Sequence, residues 1–418
     1  MAILSDEWIE NSLQKSERPS PDAPVQQELC DLLIQRCFEH STNLAIRKGL
    51  LLAAAFDLLI AAEYYCAVTH SKWLYSPGRQ PRIFFHYTNC CPRSALKNEF
   101  HFHPSQKPLS GKIGTATAKL LVIFIQTIFR YLNYDEEVRR GREPVDIIIV
   151  NRSIKSILFA EVKASPLLTP PISVISQILT DEEEGEAVER GFGTVDNTSF
   201  FDLPLEIFIP KQESDGEWSE NYYPIGKRHD IQDKNWGFRG LISLLNNSPD
   251  FFLCYVNFWI SAFNAYYPKD RKSIFWLTNA CGVPSPRPSQ WPTGKKGEGQ
   301  SPESISDSKT SVGMDRTDDI KKGIYQVIKL GAEGKPNIKE WNYKIGLISN
   351  IHAYRHFGEY LEPLKDIVWT LDTTKKAKKI GDLPEDQELY NLFDGIISLT
   401  DLVARDEWIE SLFAPIMK

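Results

Sequence analysis

The sequence predicts an α/β protein, and three observations lead to this class. Apolar residues with helical spacing fill residues 1–70, the pattern turns to strands after Pro144, and helical and strand patterns alternate beyond Asp315. Hydrophobic residues make up 42% and charged residues 25% of the 418-residue chain, close to the globular average. This composition excludes a disordered, collagen-like or fibrous chain.

The predicted elements follow in chain order. Residues 71–112 have no clear period. Residues 282–310 are dense in Pro, Gly, Ser and Lys, a composition typical of a mobile loop or linker. The pattern predicts helices at 6–13, 26–39, 50–66, 114–133, 251–267, 315–330, 352–361 and 401–413, and strands at 145–150, 156–162, 205–209, 274–279, 344–349 and 367–371.

Several features favour a protein of the cytoplasm. The most apolar stretches, 50–62 and 120–129, are shorter than the roughly 20 residues of a membrane-spanning helix. The first ten residues lack the basic and apolar regions of a secretory signal. The seven cysteines include no C-x-x-C pair, which is typical of free thiols in a reducing compartment.

The net charge of −7 does not suggest a protein that binds nucleic acid through bulk positive charge. A metal-dependent nuclease stays compatible with it, because such an enzyme concentrates carboxylates at its site and can confine its positive charge to one face. The run of lysines at 375–379 is interpreted as a solvated surface.

The segments 145–150 and 156–162 predict a β-hairpin that brings two carboxylates together. In a symmetric hairpin, paired residues have a constant sum of numbers, and this places Asp146 directly across from Glu161. Their Cβ atoms would lie roughly 4.5 to 5.5 Å apart. Side chains alternate along a strand, so Lys163 shares the face of Glu161 while Val162 points into apolar packing.

Two ionised carboxylates this close repel each other unless a cation lies between them. Hard oxygen ligands with open positions suit Mg²⁺, which keeps several waters and takes ligands from a phosphate. The pattern therefore predicts a magnesium site in which Lys163 orients an attacking water or offsets charge on the phosphorane. The alternative interpretation is an ordinary salt bridge at the end of a strand.

These residues resemble the motif of the PD-(D/E)xK nuclease superfamily, with Pro144-Val-Asp146 and Glu161-Val-Lys163 as the matching segments. The resemblance implies Asp146, Glu161 and Lys163 as catalytic residues, and Asp146, Glu161 and the main chain of Val162 as metal ligands. It also implies a mixed central β-sheet flanked by helices, with a helical N-terminal section and residues 165–312 as a large insertion.

Residues 320–329 look like the helix that follows the lysine strand in members of this superfamily. At helical spacing Lys322, Gln326 and Lys329 share one face. The resemblance gives Gln326 and Lys322 supporting or DNA-facing roles, although Gln177 remains an alternative to Gln326. The superfamily often adds an acid from its first helix. Residues 114–133 contain none, which leaves Glu143, Glu99, Asp135 or Glu136 as candidates.

The resemblance implies a type II restriction endonuclease, a Mg²⁺-dependent enzyme that cleaves double-stranded DNA at specific sequences. It further implies a homodimer and a cognate DNA methyltransferase in the same system. The expected domains are a mainly helical section at 1–112, a nuclease core at 113–281 and 313–372, a flexible loop at 282–312, and a helical tail at 373–418. We expect aromatic residues of the insertion to serve DNA recognition: Trp218, Trp236, Phe238 and Trp259.

Two other classes remain open. A repair, RNA or defence-system nuclease of the same superfamily would share the metal site. A noncatalytic nucleic-acid-binding protein would keep the fold without cleaving. His352 and His356 lie four residues apart, but the glutamate of a zinc protease is absent, and they are interpreted as structural.

Overall fold

A computed structural model describes most of the chain. The described residues are 4–42, 46–67, 72–78, 80–88, 90–99, 101, 110–176, 194–267, 273–280, 312–371 and 379–418. The predicted loop at 282–310, the acidic patch at 181–189 and Gln177 lie outside them.

Helices and strands alternate through the described residues. The α-helices are α1 (Asp6–Lys15), α2 (Pro24–Ser41), α3 (Lys48–Cys66), α4 (Pro92–Leu96), α5 (Ser110–Tyr131), α6 (Trp236–Asn247), α7 (Phe251–Tyr266), α8 (Thr317–Gly334) and α9 (Glu407–Met417). The strands are β1 (Lys72–Ser76), β2 (Arg82–Phe85), β3 (Glu137–Arg140), β4 (Ile147–Asn151), β5 (Ser156–Val162), β6 (Ile172–Ile175), β7 (Thr194–Asp196), β8 (Leu205–Phe208), β9 (Lys211–Gln212), β10 (Trp218–Ser219), β11 (Tyr222–Gly226), β12 (Asn342–Ser349), β13 (Val368–Trp369), β14 (Tyr390–Asn391), β15 (Gly395–Ser398) and β16 (Leu402–Ala404).

The chain divides into two compact units. The core unit consists of Met1–Ser20, Leu121–Ala164 and Gly313–Lys418, and the insertion unit of Pro21–Leu120 and Ser165–Val312. Each unit has a six-stranded sheet of its own. The predicted mixed sheet flanked by helices is therefore confirmed in the core unit.

The sheet of the core unit has the strand order β16-β15-β12-β5-β4-β3. Strand β12 runs parallel to both β5 and β15, and the remaining pairs are antiparallel. The carboxyl ends of β5, β12 and β15 consequently meet at one edge of the sheet, as they do in other sheets with parallel strands.

One face of this sheet packs against α8. Phe159, Ile345 and Leu347 belong to a core cluster that also contains Ile320 and Val327 of α8. Glycines let the helix approach closely, because a Cβ atom at residue 331 would lie 2.7 Å from the Cδ1 atom of Ile345. On the opposite face, residues of α5, α9 and the strands line one small apolar cavity: Ile125, Ile128, Ile348, Ile397, Phe413 and Ile416.

The insertion unit has an antiparallel sheet in the order β11-β8-β6-β2-β1-β7, together with α2, α3, α6 and α7. Its buried Asp57 accepts hydrogen bonds from the backbone N–H groups of Leu167 and Leu168, at 2.8 and 3.0 Å. The indole Nε1 of Trp259 donates to the same carboxylate at 2.7 Å. This carboxylate joins three segments of the unit.

Among the described residues, α3 alone has the length and apolar composition of a membrane-spanning helix. It is largely buried among other side chains of the insertion unit, as the core helix of a water-soluble protein is.

Several predicted elements need correction. Residues 274–279 do not form a strand, since Ser273–Leu277 is a 3₁₀ helix. In the predicted helix at 352–361, only Phe357–Leu361 is helical, as a π-turn. A short apolar run fits either a strand or a buried helical turn, and periodicity cannot separate the two.

The predicted domain boundaries also differ from the compact units. The section 1–112 is mainly helical, as expected, and it also supplies β1 and β2 to the sheet of the insertion unit. The segment 373–418 is not a helical tail, because β15 and β16 belong to the central sheet of the core unit. Strand β15 is buried along its whole length, so it lacks the alternation that reveals a strand.

The aromatic residues expected at a DNA-recognition surface are mostly core residues. Trp236, Phe238 and Trp259 are buried in the insertion unit, and Trp218 is half-buried. The three buried side chains stabilise this unit and are not available to contact bases.

Candidate active site

The hairpin of β4 and β5 has the register that the sequence predicts. Ile147 pairs with Ala160, and the pairing continues without a shift to Asn151 and Ser156. Asp146, the residue before β4, is thus opposite Glu161. Its Oδ2 atom accepts a hydrogen bond from the backbone N–H of Val162 at 2.9 Å, which fixes the carboxylate at the edge of the hairpin.

Glu161 and Lys163 form an ion pair at the carboxyl end of β5. Their side chains are 13% and 20% exposed, so water reaches the pair from one side only. The backbone N–H of Lys163 donates to the carbonyl of Ile348 on β12 at 2.9 Å, which extends the strand pairing through this residue. Pairing with β12 therefore fixes the part of the backbone that carries both side chains.

The pKa of Glu161 is raised above its ordinary value. Burial is the main cause, the negative charge of Asp146 adds to it, and a hydrogen bond between the two carboxyl groups acts in the same direction. Lys163 opposes the shift but does not cancel it. Asp146 and Glu161 thus form a close carboxylate pair that favours an additional proton or an additional cation.

The backbone N–H and C=O groups of Val162 are directed toward the side of β5 on which Asp146 lies. Residues next to each other on a strand direct their N–H and C=O groups to opposite neighbours. Lys163 bonds to β12, whereas the N–H of Val162 bonds to Asp146. The carbonyl of Val162 therefore lies on the Asp146 side of β5. Its oxygen is a possible ligand in addition to the oxygens of the two carboxylates.

Gln326 belongs to α8, the helix that packs on the face of the sheet that carries Glu161. A Cβ atom at Gly323 would lie 2.9 Å from the Cδ2 atom of Leu347, and Leu347 is the β12 neighbour of Glu161. Gln326 follows Gly323 by about one helical turn, and helical side chains lean toward the N-terminus, which here is the Glu161 end of the sheet. Its Oε1 atom is buried and has no hydrogen-bond partner among the described residues.

The other predicted site residues have exposed side chains. Lys322 is exposed on α8, and Glu143 is exposed in the connection before Asp146. Ile328 of α8 is 41% exposed. The buried stripe of α8 runs through Ile320, Gly323, Val327 and Leu330 and leaves residue 328 on the outer side.

None of the described candidate acids adds a third carboxylate to the pair. Glu136 accepts hydrogen bonds from Asn151 and Trp408, at the end of β4 opposite to Asp146. Asp135 is exposed beside it, and Glu99 belongs to the insertion unit. The described residues contain no group of three or more His, Cys, Asp or Glu side chains arranged to hold a metal ion.

The donor set nevertheless suits one hard cation. Two carboxylates, a backbone carbonyl and water are the ligands that Mg²⁺ takes, and the ion does not require a full protein cage. The raised pKa of Glu161 and the unpartnered Oε1 of Gln326 both mark an incomplete polar site.

The two histidines that lie four residues apart both bond to other residues of the protein. His356 bonds through Nδ1 to Asp315 at 2.9 Å, and the backbone N–H of His352 donates to the side-chain oxygen of Thr400.

Sequence reasoning missed the residues that place α8. Gly323, Gly331 and Gly334 each lie against a side chain of β12: Leu347, Ile345 and Tyr343. Their spacing along one helical face is the signal that would have revealed this contact. The hydrogen bond from Val162 to Asp146 has no comparable signal in the sequence.

No protein-family model, curated protein or solved structure matches this chain.

Proposed function

We propose that this protein is a Mg²⁺-dependent endonuclease that hydrolyses phosphodiester bonds of double-stranded DNA. The observation that carries the proposal is the arrangement at the end of β5. Asp146 lies across from Glu161, Lys163 pairs with Glu161, and Gln326, whose buried Oε1 atom has no hydrogen-bond partner among the described residues, belongs to the helix that packs on the same face of the sheet. The resemblance to the PD-(D/E)xK superfamily supports the same chemistry.

Each side chain has a task in this reaction. Asp146, Glu161 and the carbonyl of Val162 would hold the cation, which when bound supplies Lewis-acid polarisation of a phosphoryl oxygen. The ammonium of Lys163 would orient the attacking water and offset negative charge that builds on the phosphorane. The Oε1 atom of Gln326 would accept a hydrogen bond from that water.

The proposed enzyme cleaves specific sequences in the manner of a type II restriction endonuclease. It would act in the cytoplasm as a homodimer, since a two-fold enzyme matches a palindromic site. A cognate methyltransferase would protect the host DNA. Mapping of cut positions tests this level of the proposal, because discrete fragments indicate sequence-specific cleavage and a smear indicates a repair or defence nuclease.

The decisive experiment is incubation of purified protein with plasmid and phage DNA in Mg²⁺, in Ca²⁺ and in EDTA. We expect cleavage in Mg²⁺, and binding with little cleavage in Ca²⁺. Asp146→Asn and Lys163→Ala should each lower cleavage by at least 100-fold, about 2.7 kcal/mol of transition-state stabilisation. Both variants should retain duplex binding.

Asp135→Asn and Lys15→Ala provide matched controls, since both positions are exposed and lie outside the site. Their cleavage rates should equal that of the wild type. If Asp146→Asn and Lys163→Ala left every effect on nucleic acid unchanged, the protein would be a noncatalytic binder. Cleavage of RNA but not of duplex DNA would reassign the substrate.

A further inference from the structure

The ammonium of Lys163 has one ion-pair partner among the described residues, the carboxylate of Glu161. The two residues are two positions apart at the carboxyl end of β5, so their side chains leave the strand on the same face. The amine that the proposed reaction needs is therefore held by a carboxylate that the proposed metal site also needs.

The carboxylate of Glu161 is shared by several groups. In addition to its ion pair with Lys163, it forms a hydrogen bond with the carboxyl group of Asp146. Asp146 is itself fixed, because its Oδ2 atom accepts a hydrogen bond from the backbone N–H of Val162 at 2.9 Å. A divalent ion bound by Asp146 therefore has to take its second carboxylate ligand from the group that Lys163 holds.

The charges at this site favour exchange of cations over simultaneous binding. The two carboxylates can bring two negative charges, and Lys163 brings one positive charge. A divalent ion neutralises both carboxylates by itself, and it replaces the attraction for the ammonium by repulsion between two cations. The stem of a lysine has several rotatable bonds, so the ammonium can move away while the backbone stays paired with β12.

We propose that Lys163 and the divalent ion compete for Glu161, so that binding of the ion releases the ammonium of Lys163. The proposal rests on the proposed function and concerns the regulation of the same site. Without the ion, the ammonium stays on Glu161 and does not reach the attacking water. With the ion bound, it is free to orient that water and to offset charge on the phosphorane. The salt bridge at the end of the strand is then the resting state of the site.

The reactivity of lysine amines tests this competition without a measurement of cleavage. The protein is treated with a reagent that acetylates accessible amines, at constant pH, in EDTA and in Ca²⁺, and the modified peptides are quantified by mass spectrometry. If the ion pair occupies Glu161 for about nine-tenths of the time, Ca²⁺ should raise the acetylation rate of Lys163 about ten-fold. Asp146→Asn should abolish this effect of Ca²⁺.

Lys344 provides a matched control in the same unit. Its side chain is 19% exposed and pairs at 2.6 Å with Asp406, whereas that of Lys163 is 20% exposed. The carboxylates of Asp406 and Glu161 are both 13% exposed. Because Asp406 is no part of the proposed metal site, the acetylation rate of Lys344 should be equal in EDTA and in Ca²⁺.

The affinity for Ca²⁺ gives a second measurement of the same competition. A partner that occupies Glu161 lowers the apparent affinity of the ion by the fraction of time for which the carboxylate is free. Lys163→Met should therefore bind Ca²⁺ about ten-fold more tightly than the wild type, the same factor as in the acetylation experiment. Isothermal titration calorimetry measures both proteins, and Lys344→Met should bind Ca²⁺ as the wild type does.

Two results would contradict the competition. One is binding of Ca²⁺ with an unchanged or slower acetylation of Lys163, and the other is an equal or weaker affinity of Lys163→Met for Ca²⁺. Both would leave the metal site, and with it the proposed function, in place. If the wild type bound no divalent ion at all, the proposed function itself would fail.

Discussion

At the scale of single residues, the site places two carboxylates side by side, and their mutual repulsion is unfavourable without a cation. Asp146 and Glu161 face each other across a hairpin, and only one ammonium group, that of Lys163, is paired with them. The N–H of Val162 holds Asp146 in place, so the carboxylates cannot relax apart without losing a hydrogen bond. In the proposed enzyme, this arrangement would lower the stability of the metal-free protein and raise its affinity for a divalent ion.

The first prediction concerns how the stability of the metal-free protein depends on pH. Burial and Asp146 raise the pKa of Glu161, so the folded chain keeps a proton that the unfolded chain has released. The resulting stability is complete below the ordinary pKa of glutamate and is lost as the pH rises through the raised pKa. In EDTA, the melting temperature of Glu161→Gln should therefore rise relative to the wild type as the pH increases above the ordinary pKa of glutamate, about 4.3.

Thermal denaturation across this pH range provides the measurement. Glu28→Gln, at an exposed position of α2, serves as the control and should follow the wild type at every pH. A difference between Glu161→Gln and the wild type that stays constant with pH would contradict the assignment.

Gln326 provides a second prediction at this scale. Its buried Oε1 atom lacks a partner, and such an atom costs about 1–3 kcal/mol. Gln326→Met should therefore keep or increase the stability of the fold while it lowers cleavage at least ten-fold. Melting temperature and cleavage rate are measured on the same preparations, with the exposed Gln14→Met as the control. Lower stability together with normal cleavage would exclude Gln326 from the site.

At the scale of elements, the position of α8 depends on glycines that face β12. A Cβ atom at Gly331 or Gly334 would lie within 2.7 Å of Ile345 or Tyr343. The close approach packs α8, which carries Gln326, on the face of the sheet that carries Glu161. Small residues thus decide how closely this helix lies to the sheet.

Substitution of Gly331 by valine should push α8 away from the sheet. The added carbons have no space beside Ile345, and overpacking of this kind typically costs about 1–3 kcal/mol. Ala332→Val introduces the same side chain at the exposed neighbouring position and should cost far less. Chemical denaturation of the two variants gives the comparison. Equal free energies of unfolding would show that the glycine is not required for packing.

At the scale of the whole molecule, the core unit is assembled from three stretches of chain. The insertion unit interrupts it twice, between Ser20 and Leu121 and between Ala164 and Gly313. The residues of the proposed metal site all come from the middle stretch, whereas Gln326 comes from the third. Binding of a divalent ion should therefore stabilise the core unit and leave the insertion unit unaffected.

Hydrogen exchange in the presence and absence of Ca²⁺ tests this expectation. At ten times its dissociation constant, a ligand adds about 1.4 kcal/mol to the stability of the unit that binds it. Slower exchange should appear in β5 and α8 and be absent from α3. Asp146→Asn should abolish the effect, and Asp135→Asn should retain it. Protection of α3 equal to that of β5 would contradict a site confined to the core unit.

The candidate site was predictable where its residues are close in sequence. Asp146, Glu161 and Lys163 lie on one hairpin, and the register of a tight hairpin follows from the length of its turn. The long amphipathic helices were predictable for a related reason, because their periodicity repeats over several turns. The boundaries of α3 and α8 differ from expectation by only a few residues at either end.

The sequence by itself determined the hairpin, its register and the pair of carboxylates, because these depend on the alternation of side chains over fewer than about twenty residues. Only the tertiary structure decided that β15 and β16 complete the sheet, that Trp236, Phe238 and Trp259 of the insertion are core residues, and which face of the sheet α8 covers. These features depend on contacts between distant segments, and a strand buried on both faces, such as β15, has no alternation of side chains that could reveal it.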